Sequence, residues 1–328
     1  MMISRRRLQA GAVLAAMVML ALATAPAAGA AGTIVVAVTA IVDHPALEAC
    51  RDGIRDELKA AGYEDGKNLT FIYESAKGSP ATAAEIAQKF VGEKPDVIVA
   101  ISTPSAQAVI AATQSIPVIF TAVTDPLGAR LIGDRQSPGG NATGVSDMSP
   151  VHQQLQLIHA VMPGARRIGV PYNPDEANSM AVLQRLELES YAMDLEIHEV
   201  AVAKSADVPG ALKRMLGNVD AIYVPSDNTV MGAFPAVLKF GIANKLPVFG
   251  ADTDAVAQGA VAALGYDYYA VGRQTGKMVV RVLKGENPGR IAVEGAQVTA
   301  LAVNPGAAGK MGLVIPPAVL AGAKQVVK

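Results

Sequence analysis

Two short polar tips, Ser102-Thr103-Pro104-Ser105 and Thr121-Ala122-Val123-Thr124-Asp125, each end an apolar run of the chain. Their residues are short, with hydroxyls on both and an acid on the second. Such groups suit a small zwitterion: hydroxyl and backbone N–H donors for a carboxylate, a carboxyl group for an ammonium. The arrangement is written a second time. Asp220-Ala-Ile-Tyr-Val-Pro-Ser226-Asp227-Asn228-Thr places Ser226 six residues after its aspartate, as Ser102 stands six after Asp96. Leu-Pro-Val-Phe-Gly-Ala-Asp252-Thr-Asp254 then matches Ile-Pro-Val-Ile-Phe-Thr121-Ala-Val-Thr-Asp125 in character.

The elements behind these tips can be read from periodicity. Val97 to Ile101 has the length and β-branched content of a strand buried on both faces. The hydroxyls and Pro104 that follow signal a helix start, over about Ser105 to Gln114, before a strand at Val118 to Thr121. Strand, turn, helix, strand is a βαβ unit, and ligands sit at the carboxyl ends of such strands. Earlier in the chain, Thr33 to Thr39 is a strand whose tip carries Asp43 and His44, and His44 is expected to be an exposed loop residue, with contact to a ligand the competing reading. Pro45 opens an amphipathic helix to about Ala61, with Cys50 on its apolar stripe and therefore in the core. Gly139 to Ser146 is glycine-rich and β-like and is expected to cross into a second lobe; no Gly-Lys-Ser/Thr follows that would make it a phosphate cradle. Arg167 to Pro174 opens the second lobe, and a helix begins near Asp175 to Ser179, where free N–H groups favour a carboxylate. There Asp175 and Ser179 as simple caps compete with a binding role. After Val261 to Tyr268 comes a helix to Leu283, and Val298 to Val303 is a further strand. Three strands then join two α/β lobes, and closure about such a hinge traps a ligand.

The chain has 328 residues, 51% apolar and only 17% charged, with net charge −1. That length suits two domains, and the near-neutral balance argues against a nucleic-acid partner. The four histidines are scattered; His152 and His159 lie on one helix with no third ligand nearby, so no metal is expected. Neither a Ser-His-Asp nor a Cys-His constellation appears, and no catalytic residues or cofactors are expected. Residues 1–30 read as a signal peptide: Ser4-Arg5-Arg6-Arg7, an apolar stretch from Leu8 to Ala25, and small-residue cleavage sites ending at Ala27 and Ala30. An uncleaved anchor is the competing reading. No cysteine follows the apolar stretch to take a lipid, so a periplasmic, monomeric protein is expected.

The order of signal peptide, lobe, crossover, lobe and crossover resembles the type I periplasmic binding proteins. More narrowly, it is similar to the ABC-transporter substrate-binding family that includes bacterial tryptophan- and tyrosine-binding lipoproteins. The resemblance rests on Asp96 to Gln107, Ile116 to Pro126, Gly140 to Ser146, Tyr172-Asn-Pro with Glu176 to Ser179, Asp220 to Asn228, and Gly265 to Gly276. It implies an N-terminal lobe of residues 31–145 plus about 266–296, and a C-terminal lobe of 146–265 plus about 297–328. It also implies capture of a small ligand, an aromatic amino acid by family analogy, and delivery to an ABC permease with its ATPase. On that reading, Thr103 to Ser105 donate to the carboxylate, and Asp125, Glu176, Asp227 and Asp252 are ammonium candidates. Asn173, Asn178, Ser179 and Asn228 bridge either group, with Ser102, Thr121, Tyr172 and Ser226 completing the ligand-binding set. Asp227 is the acid on which binding should depend most, with helix capping its competing role. Phe120, Tyr172, Tyr223 and Tyr266 could pack on a ring, Phe120 and Tyr223 equally well as core. An exported α/β enzyme and a ligand-sensing partner of a membrane receptor are the rival functions.

Overall fold

A computed structural model describes residues 32–327. The expected signal peptide, 1–30, and the first residue of the expected N-terminal lobe lie outside the described residues. Two sheets carry the fold. The first takes β1 (Ile34–Ala40), β2 (Leu69–Ser75), β3 (Val97–Ile101), β4 (Val118–Val123) and β5 (Ala142–Ser146). The second takes β6 (Arg167–Tyr172), β7 (Glu196–Ala201), β8 (Ala221–Val224), β9 (Val248–Gly250) and β10 (Ala262–Tyr266). A short β11 (Glu294–Gly295) returns to the first sheet, and β12 (Thr299–Val303) and β13 (Gln325–Val326) complete the second. The strand orders are β11-β5-β4-β3-β1-β2 and β13-β12-β10-β9-β8-β6-β7. Every pairing is parallel except β10 with β12. Continuous apolar strands such as Val97–Ile101, buried along their length, are what helices on both faces of a parallel sheet require.

The helices are α1 (Pro45–Ala60), α2 (Pro80–Glu93), α3 (Thr103–Ala112), α4 (Val151–Val161), α5 (Ala177–Ala192), α6 (Val208–Leu212), α7 (Asn228–Met231), α8 (Phe234–Asn244), α9 (Asp254–Gln258), α10 (Tyr268–Leu283), α11 (Pro305–Lys310) and α12 (Pro317–Gly322). None of those described is long and apolar enough to cross a membrane. Between Asn228 and Asn244 stand two helices, α7 and α8, with the break at Gly232-Ala233 ahead of Pro235. Pro235 sits within the first two positions of α8, where its missing N–H costs nothing.

The chain passes between the sheets three times: at 147–150 after β5, at Asp267 after β10, and at 296–298 after β11. The glycine-rich run expected to make the first crossing is instead β5, a buried strand of the first sheet, and the crossing begins one residue later at Asp147. Gly144 explains the glycine: a Cβ there would stand 1.8 Å from the Phe120 carbonyl oxygen on β4. On returning, α10 lies backbone to backbone on α1. A Cβ on Gly272 would meet the Cys50 carbonyl at 2.0 Å, and one on Gly53 the Tyr269 carbonyl at 2.3 Å. This contact fastens α10, which follows the second crossing, to the first lobe.

Candidate functional site

The carboxyl ends of β1, β3, β4 and β5 face those of β6, β8 and β9 across a cavity of about 40 Å³. From the first lobe it is lined by Val42, His44, Ala46, Leu47, Ser102, Thr103, Ala122 and Thr124, and at the hinge by Asp147 and Tyr268. Asn178, Ser226, Asp227, Asn228, Met231 and Asp252 close it from the second lobe. Three aspartates thus converge with no lysine or arginine among the lining residues. Nor does any ion pair among the described residues engage Asp147, Asp227 or Asp252.

Ser102 ends β3 with φ 80° and ψ 157°, a region that only glycine adopts without strain. Its hydroxyl was expected to cap the helix. The twist turns it away from the first turn instead, and its Oγ is buried without a partner. The helix starts earlier than expected, at Thr103, whose Oγ1 is likewise unpartnered. Across the cavity, Asn178 donates from Nδ2 to Glu176 and to the Ser226 carbonyl, leaving Oδ1 without a donor. Ala122, at φ 51°, falls where the β4–β5 register shifts; bulges of this kind re-aim side chains beside functional sites.

Asp227 lies at the end of the short turn after β8 and is fully buried. Its Oδ1 accepts from the Val230 N–H at 2.7 Å, capping α7, while Oδ2 accepts from the Asn173 N–H and the Ser179 hydroxyl, both at 2.6 Å. Burial, and then the charge of Glu176, hold its carboxyl above the usual range. Glu176 takes the start of α7 in the same way. Oε1 accepts from the N–H and hydroxyl of Thr229 and Oε2 from the N–H and amide of Asn228. These two acids tie the N-termini of α5 and α7 together, so most of their accepting capacity is used inside the protein.

The remaining expected residues divide. Asp252 lines the cavity and accepts from the Ala255 N–H at 2.9 Å. Ser226 lines it too, 3.4 Å from the Ser149 hydroxyl of the first crossing. Asn173 and Glu176 face a separate groove of about 630 Å³, with Asn228 shared between groove and cavity. Thr121 points into the first lobe's core, bonded to the Thr275 hydroxyl at 2.7 Å and touching Cys50 Sγ. Asp125 accepts from the Leu127 N–H and shapes its own turn. Ser105, Tyr172 and Ser179 do not reach the cavity wall. Phe120 and Tyr223 are core, the Tyr223 hydroxyl donating to Gln154. Cys50 is fully buried, and burial pushes its thiol up to about 12.

Of three further lining residues, Asp147 and Tyr268 escaped the sequence reading, and for His44 ligand contact was the less favoured of two readings. His44, expected on an exposed loop, is 7% exposed: its Nδ1 accepts from the Ala46 N–H at the start of α1, and its Nε2 stands 3.5 Å from Gln258 Nε2 of the second lobe. Asp147 and Tyr268 are joined at 2.6 Å, the phenol donating to Oδ2. The rule that ligands collect at carboxyl ends of strands would have found Asp147, directly after β5, had that β-like run been placed in the first lobe's sheet and not at the crossing.

The family model for ABC transporter substrate binding proteins matches residues 35–327. A tyrosine-binding protein of Clostridioides difficile is 36% identical over 269 residues, 82% of this chain and 78% of its own length. The structure of an ABC domain in complex with L-Trp from Streptococcus pneumoniae aligns with a TM-score of 0.87 at 34% identity, covering 90% of this chain and 100% of that one. A ligand-free, open structure of a Clostridium difficile substrate binding protein with adhesive properties gives 0.68 at 35% identity, covering 90% and 99%. At nearly equal identity and coverage, the chain is more similar in structure to the L-Trp complex than to the open structure.

Proposed function

From the premise that this chain belongs to the ABC transporter substrate binding protein family, we propose that it captures an amino acid, an aromatic one, by closure of its two lobes and serves an ABC importer. One observation carries this reading. The cavity presents unpartnered, buried polar atoms of complementary kinds, Ser102 Oγ and Thr103 Oγ1 on one side, Asp147 Oδ1 and Asn178 Oδ1 on the other. Buried polar atoms are nearly always bonded, so four around one cavity call for a polar ligand. Acceptors beside an excess of acids suit an ammonium. The hydroxyls stand at the start of a helix whose first N–H groups have no intrahelical partner, which suits a carboxylate. Leu47, Met231 and Tyr268 supply apolar surface beside these heads. The relatives' tyrosine and L-Trp support the aromatic version.

On this reading, the leader is cleaved, the protein works as a monomer in the periplasm, and its partners are a permease and its ATPase. A thermal-shift screen of the chain without its leader, against amino acids, sugars, purines and short peptides, tests the ligand class. An aromatic amino acid at a hundredfold excess over its Kd should add about 2.7 kcal/mol to stability and be recovered unchanged. Stabilisation by none of the amino acids would sink the reading.

A further inference from the structure

We infer that Asp147 is the anchor for the ligand's ammonium group, and that its place on the hinge makes gripping that charge and closing the cleft one event. Asp147 is the first residue of the first crossing, and its own N–H donates to the Val123 carbonyl at the end of β4. It is 3% exposed; Oδ2 accepts from the Tyr268 hydroxyl and Oδ1, on the cavity wall, accepts from nothing. Tyr268 opens α10, directly after the second crossing. The two crossings are therefore stitched together through this carboxylate. The Tyr266 hydroxyl adds a bond to the Met148 carbonyl, and Ser149 meets Ser226 at the far wall. A cation on Oδ1 pulls at the one place where lobe rotation is absorbed.

Among the lining residues no lysine or arginine supplies a countercharge, and His44 is the one imidazole on the wall. Tyr268 at the start of α10, Tyr266 of β10, Cys50 of α1, Thr124 just after β4 and Asp252 just after β9 face this corner, and none carries positive charge. Burial raises the Asp147 carboxyl to about 6, against the bond from Tyr268 that lowers it. An acid raised in the folded state stabilises least when ionised: the fold is weakened as pH climbs from the unfolded acid's value near 4 to about 6. The empty protein thus holds an unfavourable charge that an ammonium would relieve.

The ligand's identity rests on the amino-acid reading above, but the charge held at the hinge does not, so two experiments separate them. In melting curves without ligand, Asp147→Asn, which keeps an acceptor for Tyr268, should match the parent near pH 4 and melt higher at pH 7. A variant that melts lower, or by a pH-independent difference, makes Asp147 a structural hydrogen-bond partner and overturns the inference. In titrations with L-tryptophan, L-tyrosine, their des-amino acids and tyramine, the parent should bind amine-bearing probes and reject the des-amino ones. Asp147→Asn should lose tenfold or more for those probes, together with the parent's weakening below pH 6. Binding of tyramine alone would end the amino-acid reading and keep the anchor. Rejection of every amine, or equal affinity in both proteins, would end the anchor.

Discussion

Ser102 holds a conformation that costs about 1–3 kcal/mol for a residue with a Cβ, and nothing in the fold recovers it, since its hydroxyl caps no helix. Strain kept at a cavity wall is expected where the side chain serves a ligand. Ser102→Gly should therefore be more stable by about 1 kcal/mol than Ser102→Ala, which removes the orphaned hydroxyl but keeps the strain; both should weaken ligand binding. Melting curves beside calorimetric titrations check this, and a glycine variant less stable than the alanine one would refute the strain. At this scale the sequence was legible in type more than in role. Asp227, Asn228, Asp252 and Ser226 stand at strand ends in the sequence, where acids, amides and hydroxyls have few other reasons to be, and the fold sets them on the cavity wall. Whether their oxygens are free is decided by tertiary neighbours. Asp227 and Glu176 spend theirs on the starts of α5 and α7, and no spacing rule announces that.

Among elements, the pairing of α10 with α1 decides most, because it fixes the returning chain to the first lobe and with it Tyr268. Gly272 sits where a Cβ would overlap backbone of Cys50, and backbone cannot move aside as a flexible side chain can. Gly272→Ala should cost about 2–3 kcal/mol, read as a melting point lower by several degrees. Gly210→Ala in α6, where a Cβ meets nothing within 4 Å, is the control and should be neutral or gain up to about 1 kcal/mol. Equal stability of the two variants would refute the close contact. The amphipathic stripe that buries Leu47, Cys50, Ile54 and Leu58 made α1 legible. Its partner was not, because glycine contacts leave no periodic signal. For the same reason the glycines around Gly144 made a buried strand of the first sheet read as a crossing, and that concealed Asp147.

For the whole molecule, the question is what holds two lobes closed. Contacts across the cleft away from the hinge are slight: Ala177 at the start of α5 packs against the first lobe's core, and His44 stands near Gln258. Against them, closure brings Asp147, Asp227 and Asp252 around one small cavity with no lysine or arginine on its wall. Like charges withdrawn from water oppose that arrangement, so the closed form resembling the L-Trp complex should become dominant only when a cation enters. A ligand can shift such an equilibrium only by binding the closed state more tightly, and cancelling this charge gives it the means. Small-angle scattering should therefore find the ligand-free protein at pH 7.5 more expanded than a compact chain of this length, whose radius of gyration is about 19 Å. A saturating aromatic amino acid should contract it to that value. Acidification to pH 5 without ligand should contract it part of the way, because the Asp147 carboxyl, raised to about 6, is then largely protonated. Scattering that ignores both ligand and pH would mean that the cleft is held by its contacts and not by its charges.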